Sequence, residues 1–226
     1  MCGRYNVTPN AEAFLDVFDI IDGMETLPEQ ARYNIPPSGD PVPAVRRGSK
    51  GRELCRLRWP LIPYWAKDGK VKFSTANAKC ETLKEKPAYR DPWRRGRRCL
   101  IPANGYFEWK KDGNRKQPYH IQRPGGELFA FGGLWDRCQT SSGNIIESCT
   151  IITTPPTSAL EAIHDRMPLI IPRRAYGQWM EGEAPEACMR PFDEELEFYP
   201  VSTFVNSPRN DDSRCIARLD LPRDSD

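Results

Sequence analysis

Cys2 follows the initiator methionine and would become the N-terminus of the chain if Met1 were removed. A small second residue such as cysteine normally permits that removal. Cys2 would then carry a free α-amine beside its thiol, groups whose ordinary pKa values are ~8 and ~8.5. Such a pair can attack an amide or ester carbonyl. It can also condense with an aldehyde to an imine, which the thiol closes to a thiazolidine. From Met1-Cys2 alone, a small residue near the start of a strand is the simpler interpretation.

Glu108 is the second candidate, because it stands between two aromatic residues in a segment that is typical of a strand. Burial would raise the pKa of this carboxyl group toward neutrality and suit it to general acid–base chemistry. The two-residue period of a strand places Tyr106 and Glu108 on the face opposite Phe107 and Trp109. This alternation favours a position of Glu108 toward water unless a pocket lies on its face.

Three further side chains suit proton transfer or hydrogen bonding. His164 is one of two histidines and precedes the sequence Asp-Arg-Met-Pro. Imidazole is the usual proton carrier near neutral pH, although a lone histidine is more often structural, as we expect for His120. Asn77 and Thr154 are polar residues at the ends of predicted elements, where a cap or turn is the simpler role.

The composition narrows the class of protein. The chain has 226 residues, of which 38% are hydrophobic and 28% charged, so it can bury a core under a polar surface. No apolar run approaches the ~18 residues of a membrane span, and no signal peptide is recognised, so we expect a cytoplasmic protein. The eight cysteines contain no C-x-x-C pair and there are two histidines. We therefore expect no disulfide framework, no metal site and no cofactor.

The elements that must position these residues are mostly short strands. The pattern predicts an α+β fold, a single domain over residues 1–226 with a mainly antiparallel, barrel-like β core flanked by short helices. We expect a core over residues 2–210 and a flexible tail over 211–226. Strands are predicted at 3–8, 42–46, 53–59, 106–111, 119–122, 129–134, 148–153 and 196–200. Helices are predicted at 10–20, between Thr82 and Pro87, and at 157–163, 173–180 and 184–189.

The most basic stretch of the chain lies at residues 90–98, where five arginines flank Trp93. One interpretation is a solvated charged surface. The other is a set of phosphate contacts with an aromatic ring for base stacking, as in surfaces that bind single-stranded nucleic acid. The sequence leaves both interpretations open.

Several separated motifs occur in a fixed order: Met1-Cys2-Gly3-Arg4-Tyr5, Arg32-Tyr33-Asn34-Ile35-Pro36-Pro37, Asn77-Ala78-Lys79-Cys80-Glu81-Thr82, the run from Arg97 to Trp109, and His164-Asp165-Arg166-Met167-Pro168. Val201-Ser202-Thr203 and Val205-Asn206 follow near the end. Together they closely resemble the SRAP (SOS-response-associated peptidase) family, which also includes a 5-hydroxymethylcytosine-binding protein of embryonic stem cells. The resemblance spans about residues 2–210.

The resemblance implies a monomeric sensor and shield for abasic sites in single-stranded DNA, with junctions between single-stranded and duplex DNA among its expected substrates. It implies that Cys2 crosslinks covalently to the abasic-site aldehyde, with Asn77, Glu108 and His164 around it. Glu108 would act as general acid and base, and His164 would share the proton transfer. For a bacterial source, the resemblance implies association with the nucleoid on DNA damage. The family name also suggests a peptidase activity that removes Met1.

A second set of residues is predicted to contact the DNA: Arg4, Asn34, Pro37, Trp65, Lys79, Arg90, Arg98 and Thr154. The chain departs from the family pattern once, because Ala-Lys-Cys-Glu stands after Asn77 where Ala-Arg-Ala-Glu is usual. Lys79 keeps the positive charge of that position but loses the bidentate fork of arginine. We expect a weaker phosphate contact there.

Two alternatives remain open from the sequence. Glutamine amidotransferases with an N-terminal nucleophile also begin with Cys-Gly after processing, although their other motifs are not found here. A non-catalytic module that binds single-stranded DNA through residues 90–98, Trp65 and Trp93 would show salt-sensitive binding that ignores abasic sites.

Overall fold

The structure is a computed structural model that describes residues 2–66 and 71–219. These residues form the α-helices α1 (Ala11–Phe18), α2 (Pro87–Arg94) and α3 (Tyr176–Met180). The strands are β1 (Tyr5–Val7), β2 (Ile20–Asp22), β3 (Arg32–Ile35), β4 (Pro41–Arg47), β5 (Arg52–Arg58), β6 (Asn77–Lys79), β7 (Arg98–Ala103), β8 (Gly105–Asp112), β9 (Arg115–Gln122), β10 (Phe129–Gln139), β11 (Ile145–Thr154), β12 (Met167–Pro168), β13 (Ile170–Ile171) and β14 (Glu197–Pro200). Short 3₁₀ helices span Met24–Thr26, Pro124–Gly126, Arg173–Ala175, Pro185–Cys188, Thr203–Asn206 and Ser213–Ile216.

A small barrel forms the centre of the fold. The strands β11, β10, β7, β4 and β5 hydrogen-bond in that order, and β5 returns to β11 where Arg58 pairs with Ser148. Closure of the sheet in this way removes its exposed edges. The pairings along β11, β10, β7, β4 and β5 are antiparallel, and the parallel pairings are β2–β5, β5–β11 and β6–β11. The predicted α+β fold with a mainly antiparallel, barrel-like core is confirmed.

A second sheet, with strand order β14-β9-β8-β1-β3, packs on the barrel. Tyr5 of β1 and Tyr106 of β8 are cross-strand partners, and both rings meet Phe131 of β10 edge to face. Edge-to-face contact is one of the arrangements that aromatic rings prefer. The packing brings the start of the chain against the centre of the fold.

The first part of strand β8, residues 105–108, is buried on both of its faces. Phe107 belongs to a small cluster with Val201, Val205 and Cys215 near the end of the chain. Tyr106 faces the opposite way, into the main core. The predicted alternation along β8 is therefore confirmed, but the C-terminal segment covers the face of Phe107 and leaves neither face to water.

Several predicted elements differ from those observed. The helix predicted between Thr82 and Pro87 is wrong, because this segment forms turns and α2 begins at Pro87. The helix predicted at 157–163 is also a series of turns. The helix start predicted at Thr8-Pro9 moves to Asn10, whose side chain accepts from the Ala13 amide at 3.0 Å as a cap. None of the described helices is long and apolar enough to cross a bilayer.

The C-terminal segment belongs to the folded body for longer than expected. Asp211 accepts hydrogen bonds from the backbone amides of Tyr33 and Asn34, and it pairs with Arg32. Cys215 is fully buried. Residues 211–219, part of the tail predicted to be flexible, thus include buried and hydrogen-bonded groups, and residues 220–226 lie outside the described range.

Candidate functional site

Cys2 lies three residues before β1, one of the two strands that pair with β8. The amide of Phe107 donates to the carbonyl of Arg4 at 3.0 Å, so the pairing of β1 with β8 continues toward the N-terminus. This pairing directs Cys2 along the strand that carries Glu108. Cys2 is fully buried, and its Sγ lies 3.8 Å from the carbonyl oxygen of Arg4. Burial, and next the nearby Glu108 carboxylate, raise the pKa of the thiol well above its ordinary value. The thiol is therefore neutral at pH 7 and needs a base to become a nucleophile.

Glu108 is only 3% exposed, so the expected position toward water is wrong. Period-two alternation correctly separates it from Phe107, but its own face of β8 looks into the fold. Burial raises the pKa of Glu108 from 4.5 to about 7. A carboxyl group with this pKa is present in both protonation states near neutral pH, which suits it to give and take protons.

His164 is the nearest described imidazole to this carboxyl group. Its Nε2 lies 3.7 Å from Oε2 of Glu108, and the side chain is about a quarter exposed. Burial is the main cause that lowers the pKa of His164, so the ring is mostly neutral at pH 7. His164 thus connects the buried carboxyl group with the solvent side of the site.

The Nδ1 atom of His164 has two neighbours that suit different protonation states. The Arg166 amide donates to Nδ1 at 3.0 Å, which requires a bare nitrogen and leaves the proton of the neutral ring on Nε2, facing Glu108. Asp165 Oδ1 lies 2.9 Å from the same nitrogen and would stabilise the protonated ring. Because the Asp165 side chain is 89% exposed, water weakens this pairing, and we take the Arg166 bond to set the tautomer.

Arg166 also ties the His164 motif to the Asn77 motif. Its guanidinium donates to both carboxylate oxygens of Glu81, at 2.6 and 3.0 Å, and to the carbonyl of Thr153 at 2.6 Å. The hydrogen bonds from Arg166 lower the pKa of Glu81 to about 2. A bidentate pair of this kind fixes orientation as well as distance. Sequence reasoning missed this pair, although both residues lie within motifs that it quoted.

Asn77 begins β6, which pairs in parallel with β11. Its carbonyl accepts from the Tyr89 hydroxyl at 3.0 Å, while its side-chain Nδ2 is buried without a hydrogen-bond partner among the described residues. An unsatisfied buried donor is costly, and in a native site it points to a missing acceptor. No described contact joins Asn77 directly to Cys2, Glu108 or His164.

A groove of about 480 Å³ lies beside Asn77. Its lining comes from Trp65, Phe73, Ser74, Asn77, Lys79, Thr82, Lys86, Pro87, Ala88 and Tyr89. Trp65 and Phe73 are 40% and 53% exposed, and their ring centroids are 6.4 Å apart. Exposed aromatic rings next to lysines are the features that bind unpaired bases and their phosphates. Phe73 is a second aromatic residue of this groove that sequence reasoning missed.

Arg4 and Asn34 lie together but are bound within the protein. The Arg4 guanidinium donates to Asn34 Oδ1 at 2.8 Å and to the carbonyl of Val205 at 3.0 Å. Asn34 is fully buried, and its Nδ2 donates to the carbonyls of Val205, Ser207 and Asn210. The DNA contact predicted for the Asn34 side chain is thus disfavoured, because it would break these bonds. Arg4 itself is partly buried, and its other terminal nitrogen donates to the carbonyl of Asn206 at 3.2 Å.

The basic stretch at residues 90–98 divides into two groups. Arg90, Arg94 and Arg95 are exposed on or just after α2. Arg97 pairs with buried Asp136, and Arg98 donates to the carbonyl of Trp179. Trp93 is 9% exposed and packs on Trp179 at 6.1 Å, so it is a core residue and not a stacking platform. The phosphate contact predicted for Arg98 stays a prediction, for a partly exposed side chain that is already bound through its Nε.

The remaining predicted residues occupy ordinary structural positions. Thr154 is fully buried and donates to the carbonyl of Pro155, so it offers no free hydroxyl surface. Pro37 is partly exposed in the loop after β3. His120 is fully buried between Asn6 and Tyr199, and burial lowers its pKa to about 3. The structural role expected for His120 agrees with these contacts.

Other parts of the described structure offer no competing centre. A cavity of about 540 Å³ lies between Leu27 and Arg56 and includes none of the predicted site residues. Among residues 2–66 and 71–219, no group of three or more His, Cys, Asp or Glu side chains is placed to hold a metal ion. The chemistry available near Cys2 is therefore that of a thiol, a carboxyl group and an imidazole.

Comparisons with known proteins point to one family. A family model described as SOS response associated peptidase (SRAP) matches residues 1–208. A Bacillus subtilis protein named abasic site processing protein YoqW is 38% identical over 223 residues, which cover 96% of this chain and 99% of that protein. The Gallus gallus abasic site processing protein HMCES is 34% identical over 82% of this chain and 65% of its own length. A solved structure from Bacteroides thetaiotaomicron is similar with a TM-score of 0.82 and 26% identity, over 96% of this chain and all of that one.

Proposed function

The chain belongs to the SOS response associated peptidase (SRAP) family, and on that basis we propose that it processes abasic sites in single-stranded DNA by covalent capture. In this proposal the aldehyde of the opened abasic sugar reacts with the α-amine and thiol of Cys2, after Met1 has been removed. The product is a thiazolidine that shields the strand from cleavage. The names of the relatives support the substrate, and residue chemistry supports the reaction.

One observation carries the proposal: Cys2, the residue that removal of Met1 would make N-terminal, is buried beside a buried carboxyl group with a pKa of about 7. The amine of an N-terminal residue alone would form an imine, and an imine promotes β-elimination that breaks the DNA strand. The thiol removes this risk only if it closes the ring. Because the pKa of the thiol is raised, closure depends on a base close to Sγ.

Glu108 supplies that base. When amine and aldehyde condense, the Glu108 acid gives a proton to the departing hydroxyl, and water is released. The carboxylate then accepts the thiol proton while Sγ attacks the carbon of the protonated imine. The S–C bond forms, and the C=N π electrons move to nitrogen. Glu108 ends this step protonated and the thiazolidine ring is neutral. Reversal of the crosslink therefore needs Glu108 to carry out the same proton transfers in the opposite order.

His164 completes the proton path. Its Nε2–H faces Glu108 in the neutral ring, and its other side reaches toward the exposed Asp165 carboxylate. We propose that the imidazole stabilises the hydroxyl of the opened sugar and exchanges protons with solvent. Asn77 would offer its unpartnered Nδ2 to an oxygen of the sugar or of the N-terminal residue.

The proposed DNA path runs along the groove beside Asn77. Trp65 and Phe73 provide surfaces for the neighbouring bases, while Lys79 and the exposed Arg90 attract phosphates. Arg4 would contribute through its partly exposed guanidinium, and Pro37 through its partly exposed ring. Asn34, Arg98 and Thr154 would act by holding the surrounding backbone in place. Preference for a junction with duplex DNA, action as a monomer and association with the nucleoid remain parts of this proposal.

The family's peptidase name suggests a related proposal, that the same site removes Met1. Purified wild-type and Glu108→Gln proteins, made in the same host, can be compared by intact mass. Retention of Met1 only in the Glu108→Gln protein supports removal by the site itself. Loss of Met1 from both proteins assigns the removal to the host.

Capture is tested by mixing the protein with single-stranded DNA that contains one abasic site. We expect a covalent adduct that peptide mapping places on Cys2 and that resists strand-cleaving conditions. Matched DNA without the abasic site should give no adduct. The absence of any adduct, or an equal adduct with the Cys2→Ala protein, would reject the proposal.

A further inference from the structure

The centre of the fold holds two tyrosines whose hydroxyl groups have no hydrogen-bond partner within residues 2–66 and 71–219. Tyr5 and Tyr106 have no exposed surface, and neither hydroxyl makes a hydrogen bond among the described residues. Buried polar atoms are nearly always paired, because an unmade hydrogen bond costs free energy. A phenylalanine would fill the same space without this cost. The hydroxyl groups therefore call for a functional explanation.

The two rings are placed beside the chemistry at Cys2. Tyr5 and Tyr106 are cross-strand partners on β1 and β8, so their side chains share one face of the sheet. Glu108 lies two residues beyond Tyr106 and shares that face as well. Both rings are held by Phe131, at 5.7 Å from Tyr5 and 6.0 Å from Tyr106, so neither is free to swing toward solvent.

The electrostatic surroundings of the two hydroxyls differ. Burial raises the pKa of both phenols well above their ordinary value, so each remains a neutral donor. For Tyr106 the next causes are Glu108 and then Cys2, whereas for Tyr5 they are Cys149 and then Cys2, and Glu108 is not among the causes given for Tyr5. Of the two hydroxyls, that of Tyr106 is therefore the one whose pKa depends on both Glu108 and Cys2.

We propose that Tyr106 is a further catalytic residue, whose hydroxyl donates a hydrogen bond to Sγ of Cys2 as the thiol loses its proton. This inference rests on the proposed capture of an aldehyde. In ring closure the thiol proton goes to the Glu108 carboxylate, Sγ bonds to the imine carbon, and the C=N electrons go to nitrogen. The phenol keeps its proton throughout and stabilises the negative charge that develops on sulfur, in a site that excludes water.

Substitution of Tyr106 by phenylalanine separates this role from a structural one. Because the hydroxyl makes no hydrogen bond to any residue that the structure describes, Tyr106→Phe should melt at the same temperature as the wild type or higher. Ring closure should nevertheless slow by about tenfold or more, as expected for the loss of one donor to a developing charge. Tyr5→Phe is the matched control, since it removes an equally buried hydroxyl, and its rate should stay within about threefold of the wild type.

The experiment uses two aldehydes on the protein without Met1. Rates of adduct formation on Cys2 are measured by mass spectrometry with abasic single-stranded DNA and with formaldehyde, which needs no DNA binding. Slower closure of Tyr106→Phe with both aldehydes, at an unreduced melting temperature, supports the inference. Equal rates, a lower melting temperature, or an equal loss in Tyr5→Phe would overturn it. If the wild type reacts with formaldehyde but not with abasic DNA, the proposed function fails while Tyr106 is still tested.

Discussion

Glu108 Oε2 and His164 Nε2 lie 3.7 Å apart, although 55 intervening positions separate the two residues in the chain. The carboxyl group is buried and the imidazole is partly open to solvent. A proton taken up by Glu108 therefore has a short route to water through a ring that is mostly neutral at pH 7. This arrangement underlies the predictions that follow.

Removal of the acid–base group should slow both directions of the reaction. In Glu108→Gln the amide fills the same space but neither accepts nor releases a proton. We expect adduct formation and adduct reversal to slow by roughly 10²–10⁴-fold, the usual contribution of general acid–base catalysis. Single-turnover rates with abasic DNA measure the first, and release from a purified adduct measures the second. Unchanged values for both would remove Glu108 from its role.

The same substitution should stabilise the protein at alkaline pH. Burial raises the pKa of Glu108 to about 7 in the folded chain, above its ordinary 4.5. The stability that the protonated form supplies is therefore complete below about pH 4.5 and is lost as pH rises through 7. The difference across this window is roughly 3 kcal/mol. Between pH 5 and 8, the melting temperature of Glu108→Gln should rise relative to that of the wild type. A difference in melting temperature that does not change with pH would contradict the raised pKa.

The two histidines should respond in opposite ways to substitution. His164→Gln should slow adduct formation by about tenfold or more with little change in melting temperature, because the ring lies at the surface side of the site. His120→Gln should leave the rate within about threefold. It should cost about 1–3 kcal/mol of stability, because it disrupts the buried bonds to Asn6 and Tyr199. Kinetics and melting of both proteins test this contrast, and a rate loss confined to His120→Gln would contradict it.

Aromatic and basic residues of the groove should affect binding differently. Trp65→Ala should weaken binding to intact single-stranded DNA by about 1–3 kcal/mol with an unchanged dependence on salt, because stacking involves no counterion. Arg90→Ala should lower the slope of log affinity against log salt by about 0.7, the value for one phosphate contact on a single strand. Fluorescence anisotropy over a range of salt concentrations measures both quantities.

A third variant tests the departure at Lys79. Lys79→Arg restores the guanidinium fork and should tighten binding without changing the salt slope, since the charge is kept. Weaker binding by Lys79→Arg would show that the lysine is adapted to this groove. Arg94→Lys, on the exposed side of α2, is a suitable control for a conservative change of a basic residue.

The sequence predicts the strands of this fold better than it predicts their surroundings. Alternation along β8 correctly places Phe107 and Tyr106 on opposite faces. It does not predict that residues 199–216 cover one face of β8 and that the barrel covers the other. A two-residue period shows which side chains share a face of a strand, but not which other elements pack on that face. The burial of Glu108, and with it the raised pKa, depends on those distant contacts.

The basic stretch at residues 90–98 illustrates the same limit. Arg90 and Arg98 belong to the same basic stretch, yet Arg90 is exposed and Arg98 donates to the carbonyl of Trp179. Trp93 packs on Trp179, a residue 86 positions away, and so becomes core. The sequence also does not reveal that the Tyr106 hydroxyl lacks a hydrogen-bond partner among the described residues. The sequence around a buried tyrosine does not show whether its hydroxyl is hydrogen-bonded.

The central claim is that Cys2, freed of Met1, captures the abasic aldehyde. Its most direct test is the intact mass of the purified protein with and without single-stranded DNA that carries one abasic site. We predict that the free protein lacks Met1 and that its mass rises by that of the DNA less one water molecule, with the adduct mapped to Cys2. A protein that lacks Met1, remains folded and gains no mass with abasic DNA would contradict the account.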